Sequence, residues 1–194
     1  MKKFLSIVFA LCLLGSFIPE ALAATPQHED EYLWNQTTID CYVDTYITDT
    51  YGSIIYNAIS GGLQAWNATD APNVNVSSDY YYSWDVFVMM FDYGETGWDG
   101  NCTATYDTNT LTTQYARIRL NTGGIPDTYD TDSTLWKALA CHEIGHAHGL
   151  GHNTVTTEQS IMKEDTEDYY KYSGTAPRLT SPQFVDRSAV NALY

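Results

Sequence analysis

The stretch "CHEIGHAHGLGHN", residues 141–153, holds four of the five histidines in this 194-residue chain. His142 and His146 are four residues apart, so on a helix both imidazoles lie on one face, where they can share a metal ion. Gly149 suits the left-handed conformation in which helices commonly end. A chain reversal there lets His152 supply a third nitrogen. The spacing therefore predicts a helix that ends near Gly149 and a three-histidine metal site.

Glu143 directly follows the first of these histidines. Its carboxylate can reach a water bound to the metal more easily than it can reach the metal itself. Three neutral imidazoles with an open fourth position are the coordination of catalytic rather than structural zinc. Such a zinc lowers the pKa of bound water to about 7 and polarises a carbonyl oxygen. Glu143 would take the proton of the water and pass it to the leaving amine. The constellation predicts hydrolysis of an acyl bond, above all a peptide bond.

The N-terminus has the layout of a secretory signal peptide: a positive start, an apolar run and a small-x-small cleavage site that ends at Ala23. The apolar run is shorter than the roughly 20 residues that a spanning helix needs, which disfavours an uncleaved anchor. We therefore expect a signal peptide over residues 1–23 and a short segment over residues 24–36 that is a candidate pro-segment. One folded domain follows over residues 37–194. The mature protein is expected to be secreted, without stable membrane insertion.

The chain carries a formal net charge of −15. Such a surface repels phosphate backbones, so we expect no nucleic-acid partner. Two acidic segments, residues 92–101 and 127–132, place several oxygens close together, as calcium prefers. Aspartates before a helix are also ordinary caps. Calcium is therefore an open second ion beside zinc.

Three cysteines remain once Cys12 leaves with the signal peptide. Cys141 falls on a position of the histidine helix that we expect to be buried, where a thiol packs as a small apolar group. Cys41 and Cys102 are then the candidate disulfide, with free thiols as the alternative.

The remaining pattern predicts an α+β fold. Alternating residues predict strands over residues 37–47 and 115–121, and the segments 73–78 and 85–91 are predicted as two further strands. Helical spacing predicts helices over residues 51–68, 132–148 and 181–194, the last of them capped by Thr180 or Ser181. The glycine- and aspartate-rich residues 92–104 are predicted to form a loop. This order favours a mixed sheet twisted over two helices.

The string "HEIGHAHGLGH" resembles the long zinc-binding signature of the metzincin metallopeptidases, and its "GLGH" ending resembles the matrixin branch. The resemblance implies a metzincin-like catalytic domain with an active-site helix, a first helix and a C-terminal helix. Metzincins carry a Met-turn beneath the metal, which the resemblance assigns to Met162 in "QSIMKED". Residues 115–121 resemble the edge strand along which these enzymes bind an extended polypeptide substrate.

Two further features depart from the zinc signature. His148 points to another side of the helix than His146, so we expect it around the ligands or at the surface. A tyrosine hydrogen-bonds the oxyanion in some metzincins, and Tyr169, Tyr170 and Tyr172 follow Met162, although ordinary packing is favoured for them.

The sequence therefore predicts a secreted, monomeric zinc endopeptidase. The alternative is a zinc-stabilised exported binding protein or adhesin without catalysis. Glu143 argues against that alternative, because a purely structural site has no use for a base. Hydrolysis of a non-protein amide stays open.

Overall fold

The structure is a computed structural model that describes residues 32–79, 84–172 and 177–194. The predicted signal peptide lies outside the described residues. The strands are β1 Thr38–Val43, β2 Asn73–Ser77, β3 Val86–Phe91, β4 Gly100–Asp107 and β5 Thr112–Asn121. They form one mixed sheet in the order β2-β1-β3-β5-β4, in which only β4 runs antiparallel to its neighbour.

The helices are α1 Thr45–Tyr51, α2 Ser53–Leu63, α3 Ser133–Ala147, α4 Thr166–Tyr169 and α5 Phe184–Asn191. Short 3₁₀ turns cover Gln64–Trp66 and Asp127–Tyr129. The predicted α+β class with a mixed sheet is confirmed. In the described part of the chain, no helix is both long and apolar enough to cross a membrane.

The core lies between the sheet and the helices α2 and α3. Alternate residues of β3, Val86, Val88 and Met90, are fully buried, as the period-two geometry of a strand requires. Helix α2 crosses α3 closely at Gly62, where an added Cβ would lie 2.3 Å from the carbonyl oxygen of Lys137. The glycine that weakens α2 as an isolated helix is thus the one that lets the two helices meet.

Residues 32–34 pack against this body, although they belong to the segment predicted as a candidate pro-segment. Trp34 is 5% exposed, and its indole N–H donates to the carbonyl oxygen of Ala147 at 2.7 Å. Leu33 forms a β-bridge with Thr112. The packed body therefore begins before residue 37.

Two strand predictions need correction. The strand predicted over residues 37–47 ends at Val43, because the carboxylate of Asp44 accepts from the backbone N–H of Tyr46 and caps α1. The loop predicted over residues 92–104 ends at Gly100, where β4 begins. Strand β4 is polar and half exposed, so its sequence lacks the apolar alternation that marks a buried strand.

The predicted edge strand is also wrong. Residues 115–121 belong to β5, which lies between β3 and β4 inside the sheet. The edge strand next to β5 is β4, which pairs with β5 alone among the described strands, and β2 forms the opposite edge of the sheet.

The predicted cap of the last helix is wrong by two residues or more. Helix α5 begins after Gln183, whose backbone N–H donates to the carboxylate of Asp186 at 2.7 Å in a capping box. The N-cap is therefore Gln183, and the predicted Thr180 and Ser181 precede it.

The predicted disulfide is contradicted, since all three cysteines of the described residues are free thiols. Cys41 lies on β1 and Cys102 on β4, with β3 and β5 between them. Neighbouring strands are about 4.8 Å apart, so these Cα atoms are separated by roughly 14 Å. A disulfide needs about 4.4–6.8 Å between Cα atoms. Burial raises the pKa of the Cys41 thiol, which favours the neutral, unreactive form.

Candidate metal centre

Helix α3 carries the first two histidines of the site. Its N-terminus is capped by Asp132, whose carboxylate accepts from the backbone N–H groups of Thr134 and Leu135. The helix ends before Gly149, which has a φ of +91° as its position predicts.

The reversal at Gly149 returns His152 to the face of α3 that carries His142 and His146. One ligand atom from each of the three rings lies within 4.8 Å of the others. The three histidines therefore form a group that could hold a metal ion, as the spacing predicted.

Backbone carbonyls fix the tautomers of two of these rings. The Nδ1 of His142 lies 2.7 Å from the carbonyl oxygen of Ile161, and the Nδ1 of His146 lies 2.7 Å from that of Leu150. A carbonyl oxygen only accepts, so each Nδ1 carries the proton. Metal-ligating histidines typically bind a carbonyl in this way.

Both Nε2 atoms then present lone pairs, and they lie 3.0 Å apart. Two acceptors this close need a cation or a proton between them. Burial, together with the charge of His146, holds the pKa of His142 well below its usual range. Burial lowers the pKa of His146 to about 4. Both rings are therefore neutral at neutral pH, which leaves a metal ion as the group that suits this pair.

Glu143 is buried beside the histidines, with Oε1 4.0 Å from Nε2 of His142. Its carboxylate is confined by the start of β4, since an added Cβ on Gly100 would lie 2.3 Å from Oε1. Burial raises the pKa of Glu143 to about 8, while a cation at the histidines would oppose that shift.

These groups face a cleft of about 390 Å³ that runs along β4. One wall is formed by residues 97–102, and the other by the segment that follows Met162, including Glu164, Asp165 and Tyr169. Among the described residues that line the cleft, none is a lysine or arginine. The cleft is therefore acidic apart from its histidines.

Met162 is fully buried under α3. An added Cβ on Gly145 would lie 2.4 Å from its sulfur, so the absence of a side chain at Gly145 makes room for the methionine. The carbonyl oxygen of Met162 accepts from the backbone N–H of Asn153, next to His152. The methionine predicted to support the site thus packs on the histidine helix.

Sequence reasoning missed Asp186, a buried residue of α5. Its Oδ2 accepts from the backbone N–H of Ile161 at 2.9 Å, and its Oδ1 accepts from the hydroxyl of Ser160. The carbonyl of the same Ile161 accepts from His142, so α5 holds the turn that orients a ligand. The local sequence around Asp186 gives no sign of these contacts, because Ser160 and Ile161 lie about 25 residues earlier in the chain.

Of the three candidate tyrosines, only Tyr169 reaches the site. Its ring stacks on that of His142, with centroids 5.0 Å apart and planes inclined by 13°. The hydroxyl of Tyr170 donates to Asp132 at 2.8 Å, and that of Tyr172 donates to Asp99 at 2.7 Å.

His148 does not lie at the surface. It is fully buried beside Trp66 and Tyr194, and neither ring nitrogen has a hydrogen-bond partner among the described residues. Most residues of α3 are buried, so His148, which points away from the cleft, lies in the core.

The predicted calcium segments do not gather carboxylates. Among the described residues, one group of three or more histidine, cysteine or acidic side chains has its ligand atoms within 4.8 Å of one another, and it is formed by His142, His146 and His152. Oxygens of the first acidic segment instead surround a side-chain amide, that of Asn121. Calcium stays a prediction.

No protein-family model matches this chain, and no curated protein matches its sequence.

Proposed function

We propose that this protein is a secreted zinc-dependent endopeptidase of the metzincin type. The observation that carries the proposal is the pair of Nε2 lone pairs 3.0 Å apart, with His152 beside them and Glu143 in the same cleft. Three groups would take part in the reaction: the metal, the general base Glu143 and an extended polypeptide substrate.

The donor set favours zinc. Three imidazole nitrogens suit zinc in a tetrahedral site, with one position left for water or substrate. When bound, zinc would polarise a carbonyl oxygen and make water acidic enough to attack it near neutral pH. His142, His146 and His152 would hold the ion, and the carbonyls of Ile161 and Leu150 would fix two of the rings.

Glu143 would act as general base and then general acid. Its carboxylate faces the same cleft as the histidines and lies too far from His142 for a direct hydrogen bond, at 4.0 Å. That gap leaves room for a water between the carboxylate and the metal position. A cation at the histidines would offset the effect of burial on the pKa of Glu143 and keep it ionised until it takes a proton from water, which it would then pass to the leaving amine.

The outer edge of β4 would bind the substrate. Among the described strands, β4 pairs with β5 alone, and it lines the cleft beside the histidines. An extended polypeptide can add to such an edge through main-chain hydrogen bonds, which are independent of sequence. This arrangement would suit cleavage within polypeptides, with β4 in the role first predicted for residues 115–121.

The decisive experiment compares the full exported chain with Glu143→Gln, using unfolded casein as substrate and counting bound zinc in both. Glutamine keeps the shape of the side chain and removes the base. We expect chelator-sensitive cleavage by the parent, and none by the variant with zinc retained. Zinc in both without cleavage by the parent would favour the binding-protein alternative. A folded parent that binds no zinc would refute both functions.

A further inference from the structure

One wall of the cleft depends on a single buried amide. The β3–β4 loop, residues 92–99, connects β3 to the edge strand, and three of its residues, Gly97, Trp98 and Asp99, line the cleft. Asn121, the last residue of β5, is fully buried beneath this loop.

Both ends of the Asn121 amide are bound. Its Oδ1 accepts from the backbone N–H groups of Tyr93 at 2.9 Å and Gly123 at 3.0 Å. Its Nδ2 lies 2.9 Å from the carbonyl oxygen of Gly94 and 2.8 Å from the hydroxyl of Thr96. The carbonyl oxygen of Trp98 is the third neighbour of Nδ2, at 3.1 Å. Flipping the amide would set oxygen against oxygen, so this network fixes its orientation.

Three oxygens of one loop thus converge on one nitrogen. Oxygens that face each other in a part-buried site need a shared donor or a cation between them. Here the NH₂ group of Asn121 is the shared donor. This accounts for an oxygen-rich acidic loop in which the carboxylates do not cluster.

The loop is tied to the cleft independently of the metal site. The guanidinium of Arg119 lies 5.6 Å from the centre of the Trp98 ring, and Asp99 accepts from Tyr172 at 2.7 Å. The next residue, Gly100, is held by its ladder pairing with Leu120. A change in the loop therefore moves the cleft wall while the residue that touches Glu143 stays in the sheet.

We propose that Asn121 is a positioning residue that shapes the substrate-binding wall, with its amide replacing a cation at the centre of the β3–β4 loop. The role in substrate binding rests on the proposed peptidase function. The proposed role of Asn121 in ordering the loop does not rest on that function. It is tested by tryptophan emission and limited proteolysis.

The test compares Asn121→Asp and Asn121→Ala with Asn73→Asp, a matched charge change at an exposed position of β2 on the far edge of the sheet. Asn121→Asp removes the donors and points a carboxylate oxygen at three others. We expect KM for a casein-derived peptide to rise at least about tenfold, as expected when the hydrogen bonds that order the loop are lost. We expect kcat to change less than about threefold and the bound metal to stay constant, because the ladder holds Gly100 beside Glu143.

Loop order is read from tryptophan emission and from limited proteolysis within residues 92–99. Both variants should shift the emission, and the shift should vanish in a Trp98→Phe background. About 5 mM CaCl₂ should return the emission and the KM of Asn121→Asp to the parent values, because the aspartate can supply a carboxylate ligand. The emission and the KM of Asn121→Ala should not be restored.

The outcomes separate the two hypotheses. A parent without peptidase activity would refute the proposed function, while emission and proteolysis would still decide the role of Asn121. Unchanged emission and KM in both variants would overturn the positioning role. A loss of bound metal with a fall in kcat would show a general structural role instead. If calcium does not restore the emission and the KM of Asn121→Asp, the inference that the amide replaces a cation is overturned.

Discussion

Replacing Gly100 by alanine should disable the proposed base without removing any chemical group of the site. The added Cβ would lie 2.3 Å from Oε1 of Glu143, 2.9 Å from Cδ and 3.0 Å from Cγ. Gly100 is not among the residues with positive φ, so alanine fits its backbone. Non-bonded heavy atoms rest about 3.5 Å apart, so the carboxylate must move by about 1 Å.

A displacement of this size is large for a catalytic group. A misplacement of about 1 Å costs roughly 10²-fold in rate, or about 2.7 kcal/mol of transition-state stabilisation. We therefore expect kcat/KM of Gly100→Ala to fall about 100-fold. Zinc content should match the parent, because the clash is with the side chain of Glu143 and not with a histidine.

The assay is peptide hydrolysis with metal counting and thermal unfolding on the same samples. Gly61→Ala is the matched control, since its Cβ would meet no atom closer than Cε of Lys137 at 3.8 Å. Activity of Gly100→Ala within threefold of the parent, with zinc bound, would refute the reasoning. Either Glu143 then moves freely or it is not the base.

Further predictions test the packing, the ligand support and the chemistry. Gly62→Ala should destabilise the protein by about 1–3 kcal/mol in urea unfolding, because its Cβ meets backbone of α3, whereas Gly61→Ala in the same helix should be neutral or stabilising. Asp186→Asn should weaken zinc binding about 10–100-fold in chelator competition, because it loosens the turn that orients a ligand; an unchanged affinity would contradict this. Cys41 and Cys102 should both be alkylated in denatured, unreduced protein, and a linked peptide pair would overturn the free-thiol assignment. Metal removal should lower the unfolding free energy by about 3 kcal/mol at a zinc concentration of about 100 times Kd, reversibly on adding zinc back. The acidic cleft should favour peptides with lysine or arginine near the cleaved bond, and added salt should reduce that preference.

The elements that the sequence predicted well are those with a strong local signal. Helix α3 combines a capping aspartate, helical spacing and a terminal glycine, and the structure places its bounds within one residue of the prediction. The strands predicted over residues 73–78 and 85–91 are likewise confirmed as β2 and β3. Strand β4 was missed because an edge strand half exposed to solvent needs no apolar alternation.

The sequence by itself determined the three-histidine group, because its ligands are joined by one helical turn and one reversal at Gly149. Such geometry depends on spacing along the chain and hardly on the rest of the fold. Only the tertiary structure decided that β4 and not β5 is the edge strand beside the cleft, which cysteines are too far apart to pair, and where Gly100, Asn121 and Asp186 lie. These features depend on strand order and on contacts between residues far apart in sequence, and a periodic pattern contains information only about near neighbours.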